Sequence, residues 1–116
     1  MPVALVVEDE WLVRMEMADA LSERGWRVVE VSTGEAAVHI LRDGCSIDLL
    51  VTDIRLPGAI TGWDVADAFR AVDRSVPVVY CSGNPPDLKR QARDSVFLSK
   101  PYRMDSLLEA CERFRH

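Results

Sequence analysis

The chain of 116 residues is 48% apolar and 28% charged with a formal net charge of −5, which suits one compact acidic domain and excludes a disordered chain or a non-specific phosphate-backbone binder. Its basic residues are scattered, and Lys89, Arg90 and Arg93 sit among Asp87 and Asp94, as on a solvated helix face rather than a nucleic-acid stripe. No apolar run approaches the roughly 18 residues of a membrane span and no basic leader precedes the first strand-like run, so no direct nucleic acid, no membrane and a cytoplasmic location are expected.

The pattern then alternates strand and helix. Val3 to Val7 reads as a buried strand, and Val13, Met17, Ala20 and Leu21 recur at helical spacing before Gly25, a left-handed cap. Trp11 reads as a helix-packing residue. Arg27 to Val31 is the second strand; Ser32 or Thr33 caps a helix with Ala36, Ala37, Ile40 and Leu41 on one face, ended near Gly44. Ile47 to Thr52 is the third strand. The Pro and Gly of residues 55–62 mark a loop, Trp63 staples it to the next helix, and Val65, Ala66, Phe69 and Val72 mark that helix. Val76 to Ser82 contains the fourth strand. After Pro85-Pro86 a weak fourth helix is expected, with only Leu88 and Ala92 apolar, docking loosely and moving as a hinged unit. Val96 to Ser99 is the fifth strand, and Met104, Leu107, Leu108 and Cys111 build the last helix. Five strand–helix units in one domain, 1–116, imply a parallel sheet covered on both faces. Cys45, Cys81 and Cys111 are odd in number and widely spaced, so neither a disulfide framework nor a zinc site is indicated, and Cys81 reads as a small buried hydrophobe.

Ligands of such sheets bind outside the carboxyl ends of the strands. Glu8, Asp9, Asp53, Ser82 and Lys100 all stand there. Carboxylates held a few ångströms apart repel unless a cation or protons intervene, and a hard divalent ion is the natural occupant. Magnesium would take Asp9 and Asp53 as first-choice ligands, Glu8 directly or through water, and the main-chain carbonyl of Arg55. The plainer alternative is that Glu8-Asp9-Glu10 caps the first helix. Asp53 is the candidate nucleophile, since a carboxylate can attack phosphorus to give an acyl phosphate. Lys100 supplies a compact cation to pair with Asp53 and then with phosphate; Ser82 offers a hydroxyl to a phosphate oxygen, and Gly83 leaves room for it. Singly each has a bland role as turn residue, strand-end hydroxyl or solvated lysine. Their coincidence at strand ends argues for a shared site.

Val6-Val7-Glu8-Asp9-Glu10, Asp53-Ile54-Arg55-Leu56-Pro57 followed by Gly62, Ser82-Gly83 and Lys100-Pro101, in this order, resemble the response-regulator receiver domain of two-component signalling. The resemblance covers Val3 to about Arg113. It implies a flavodoxin-like doubly wound (βα)5 sandwich with parallel sheet order 2-1-3-4-5. It also implies Mg2+-dependent phosphoryl transfer from a histidine kinase or histidine phosphotransfer protein to Asp53, and a peptide before Pro101 that is commonly cis beside the phosphate. A receiver catalyses only its own phosphorylation and dephosphorylation and is not otherwise an enzyme. The family's switch pairs Ser82 with the aromatic at Phe97, which here lacks the frequent tyrosine hydroxyl, and hands the signal to a partner protein or a second copy in a homodimer. The segment Pro57–Gly62 is one residue longer than the commonest pattern. No output segment follows His116, so a free-standing receiver, a phosphate relay or sink, or a piece of a hybrid kinase is expected.

Three other functions compete for the same residues. An aspartyl phosphatase would need an acid where Arg55 stands, and a flavodoxin-like cofactor binder would need a phosphate loop where Glu8-Asp9-Glu10 repels phosphate. A pseudo-receiver that binds partners without phosphorylation is opposed only by the complete acidic set.

Overall fold

A computed structural model describes residues 1–114; Arg115 and His116, the end of the expected 1–116 domain, lie outside the described residues. Five strands, β1 (Val3–Val7), β2 (Arg27–Val31), β3 (Leu49–Asp53), β4 (Val78–Ser82) and β5 (Val96–Ser99), form one parallel sheet in the order β2-β1-β3-β4-β5. Four helices accompany them: α1 (Trp11–Glu23), α2 (Gly34–Arg42), α3 (Gly62–Val72) and α4 (Met104–Glu112). Because side chains alternate across a strand, Ala4, Val6, Leu49, Val51 and Val79 pack with Met17 and Leu21 of α1 and Leu107 and Cys111 of α4. Leu5, Val7, Leu50, Val78 and Tyr80 pack on the other face with Ala37 of α2 and Val65, Ala66 and Phe69 of α3. Burial on both faces explains the near-continuous apolar runs of β1, β3 and β4.

Local chemistry sets the ends of the helices. Trp26 and Gly25 donate their amides to the carbonyls of Leu21 and Ser22, with Gly25 at φ 91°, closing α1 by a Schellman motif. Thr33 accepts from the Ala36 amide at the start of α2, and Thr61 with Asp64 forms a reciprocal capping box at the start of α3.

The fold departs from (βα)5 at one place. Residues 83–95 form turns instead of the expected fourth helix. Asp87 accepts from the amides of Arg90 and Gln91 through its carbonyl and from that of Lys89 through its side chain, so one turn is started and not continued. Most helical stability comes from burying an apolar face, and this segment has none to bury: Leu88 is 81% exposed. Trp11 does not pack inward as expected; it is 65% exposed and shares the outer surface of α1 with Leu12 and Met15. Trp63 does join loop to helix, its ring tilted against Tyr80 and stacked on Phe97 at centroid distances of 4.7 and 6.1 Å.

Candidate functional site

Parallel pairing brings the carboxyl ends of β1, β3, β4 and β5 to one edge of the sheet. Val7 pairs with Thr52, and Asp53 with Cys81, so Glu8 and Ser82 stand one residue beyond their neighbours' last rungs. The Lys100 amide donates to the Ser82 carbonyl at 2.7 Å, fixing the lysine beside them. Glu8, Asp9, Asp53, Arg55, Ser82, Gly83, Asn84 and Lys100 line one open cleft of about 450 Å³.

Within it Asp53 is 7% exposed. One carboxylate oxygen accepts from the Ile54 amide at 2.8 Å and the other from Lys100 Nζ at 2.9 Å. Burial opposes the charge on Lys100, but its hydrogen bond to Asp53 and the charges of Asp53 and Glu8 outweigh that and raise its pKa. The ammonium is therefore a fixed cation. Glu8 is buried as well; Oε1 accepts from the Glu10 amide, while Oε2 has no hydrogen-bond partner and Lys100 Nζ stands 3.9 Å away. Burial first, and the negative charge of Asp53 second, push its carboxyl up to about 7. Glu8 is thus no cap: Glu10 occupies the N-cap position of α1 without a side-chain bond.

One ligand atom each from Glu8, Asp9 and Asp53 lies within 4.8 Å of the others. An orphaned buried carboxylate oxygen beside two further carboxylates, all hard oxygen donors, fits a magnesium-type cation and would repel an anion. Asp9 is exposed and Arg55 lines the same cleft with its side chain toward solvent. Two further expected residues stand behind the cleft lining. Pro101 follows a cis peptide and lines a neighbouring groove with Glu10, Val13, Tyr102 and Met104. Phe97 packs on the α2–α3 face in register with Tyr80.

Several supports of the site show their contacts only in the folded chain. Arg14 donates to the Glu8 carbonyl at 2.9 Å. Glu35 at the start of α2 accepts from the Ala59 amide and so ties down the loop after Asp53. Gly62 packs so closely that a β-carbon would overlap the Asp53 carbonyl oxygen. The Ser82 hydroxyl oxygen accepts from the Asn84 amide at 3.0 Å. The contacts of Arg14, Glu35 and Gly62 follow no local period, whereas the Asn84 bond closes a local turn at Ser82.

The family model of the response regulator receiver domain matches residues 4–112. The chain belongs to that family. The receiver is 35% identical over 120 residues to the transcriptional regulatory protein PdtaR of Mycobacterium tuberculosis, covering 96% of this chain and 57% of PdtaR; the chain thus spans little more than half of that relative. Among solved structures, a response regulator receiver protein from Sinorhizobium medicae superposes with a TM-score of 0.93 at 32% identity, covering 97% of this chain and 93% of that one. The response regulator TrrA of Thermotoga maritima, solved in complex with Mg(2+)-BeF, gives a TM-score of 0.86 at 28% identity over 98% of this receiver and 99% of that chain. The receiver is accordingly a module of two-component signalling with the flavodoxin-like sheet order. Among its described residues no helix is long and apolar enough to cross a membrane.

Proposed function

We propose that the receiver accepts a phosphoryl group on Asp53 from the phosphohistidine of a histidine kinase or histidine phosphotransfer protein. The observation that carries this reading is the buried Asp53 carboxylate, 2.9 Å from Lys100 Nζ and clustered with Glu8 and Asp9 at the mouth of an open cleft. An Asp53 carboxylate oxygen attacks phosphorus, the P–O bond forms as the P–N bond breaks, and the electron pair leaves with the donor imidazole. Lys100 holds the Asp53 side chain in place at 2.9 Å, then pairs with the phosphoryl oxygens that arrive on it. Ser82 and the Gly83 backbone border the space in which those oxygens arrive.

Glu8, Asp9, Asp53 and the main-chain carbonyl of Arg55 would hold Mg2+, which when bound offsets the charge crowding of phosphoryl transfer. The chain acts on its own phosphoryl group and on no other substrate. Its signal passes to a partner protein, or to a second copy, through a rearrangement that includes Ser82 and Phe97.

Incubating the chain with a small phosphoryl donor and Mg2+ and weighing it intact tests the reading. A phosphoryl adduct is expected on the wild type and not on Asp53→Ala. A wild type that stays unmodified would leave the pseudo-receiver reading in its place.

A further inference from the structure

We propose that Arg90 is an ionic latch that closes residues 83–95 against α3 and couples that segment to the Asp53 site. Since the segment buries almost no apolar surface, polar ties hold it in place. Arg90 Nη2 reaches Asp64 Oδ1 at 2.9 Å and Asp67 Oδ2 at 2.8 Å, the segment's only side-chain ion pairs to the body among the described residues. The Ala92 amide donates to the hydroxyl of the buried Tyr80 at 3.1 Å, and Arg70 donates to the Arg93 carbonyl at 2.7 Å. The phenol stands on β4, opposite Phe97 in the sheet register. Tyr80 thereby supplies a buried hydroxyl at the strand next to the one that lacks it.

Both ends of the segment lead back to the cleft. At one end the Asn84 amide is bonded to Ser82 Oγ. At the other, Asp64 carries two loads: Oδ1 takes Arg90, while Oδ2 accepts from the Thr61 amide to close the α3 capping box. Gly62, next to Thr61, donates to the Ile54 carbonyl and packs on the Asp53 carbonyl. A tetrahedral group arriving on Asp53 and drawing on the Ser82 hydroxyl therefore pulls Asn84 and the segment behind it, and Arg90 resists. Coupling of this kind is reciprocal, so releasing the latch strengthens binding of such a group. This second half rests on the phosphoryl-acceptor reading.

Amide exchange at Ala92, with the Leu50 amide in the central strand as the control for an intact fold, decides the latch in the full chain. Partly exposed ion pairs are modest in strength and screened by salt. Arg90→Ala is expected to exchange roughly three- to tenfold faster at Ala92 with Leu50 unchanged, and wild type is expected to approach that rate in concentrated NaCl. Wild-type protection of Ala92 in Arg90→Ala would overturn the latch. Calorimetric titration with Mg2+ and beryllofluoride decides the coupling: Arg90→Ala is expected to bind about threefold more tightly, and an unchanged affinity would overturn it. A wild type that binds no beryllofluoride would overturn the phosphoryl-acceptor reading and the coupling together, while exchange at Ala92 still decides the latch.

Discussion

Glu8 concentrates the electrostatics of the site in one carboxyl group. Its pKa in the folded chain stands at about 7 against an ordinary 4.5, first because it is buried and then because Asp53 is near. Between those values the folded chain keeps a proton that the unfolded chain has released, so this contribution is full below pH 4.5 and is lost as pH rises through 7. Metal-free protein should therefore lose on the order of 2 kcal/mol between about pH 5 and pH 8 from this group. Urea denaturation in chelator measures the loss; Glu8→Gln should remove it, and a saturating divalent cation should flatten it in wild type. Gly62 makes a steric prediction at the same scale. Its missing β-carbon is the space in which Asp53's carbonyl sits, so Gly62→Ala should lower stability by about 1–3 kcal/mol and slow phosphorylation, read by denaturation and by adduct formation. Neither property follows from residue type alone. Glu8 was identifiable as a strand-end acid, but its burial beside Asp53, with no donor within hydrogen-bond reach of Oε2, comes from elements far apart in the chain.

Among the elements, α1 and the 83–95 segment show where local pattern and tertiary outcome part. The spacing of Val13, Met17 and Leu21 identifies the inner face of α1 correctly, yet Trp11, Leu12 and Met15 stand outside it. Trp11→Ser should accordingly change stability by no more than about 0.5 kcal/mol in thermal or urea melts. The fourth helix failed for a reason visible in the sequence: two apolar residues cannot supply a buried stripe, and the single turn at Asp87 has nothing to propagate it. Its replacement by a polar-tethered segment was not visible, because Tyr80, Asp64 and Asp67 lie outside it. By contrast α3 is secured locally. Thr61→Ala removes the capping box and should cost about 1 kcal/mol, measured by urea denaturation, with faster amide exchange in its first turn as a second readout.

The whole molecule is one sheet between two apolar layers. Leu50, fully buried at the sheet centre, faces the α2–α3 layer, so Leu50→Ala should cost about 2–5 kcal/mol and lower the urea midpoint without changing the slope. The two layers use alternate residues of the same strands. A loss on one face should therefore leave the geometry of the cleft intact.

By itself the sequence determined the strands, the helix faces apart from Val72, which is exposed at the end of α3, the Gly25 cap of α1, and the identity of the acids, hydroxyl and lysine at the strand ends. Those are properties of period, turn chemistry and residue type, which act over a few neighbouring residues. Only the tertiary structure decided the buried state of Glu8, the closeness of Gly62 to Asp53, the packing of Phe97 with Tyr80 and Trp63, and the bridge from Arg90 to α3. Each of these joins atoms contributed by separate elements, and their distances are set by sheet register and packing, which no local spacing encodes.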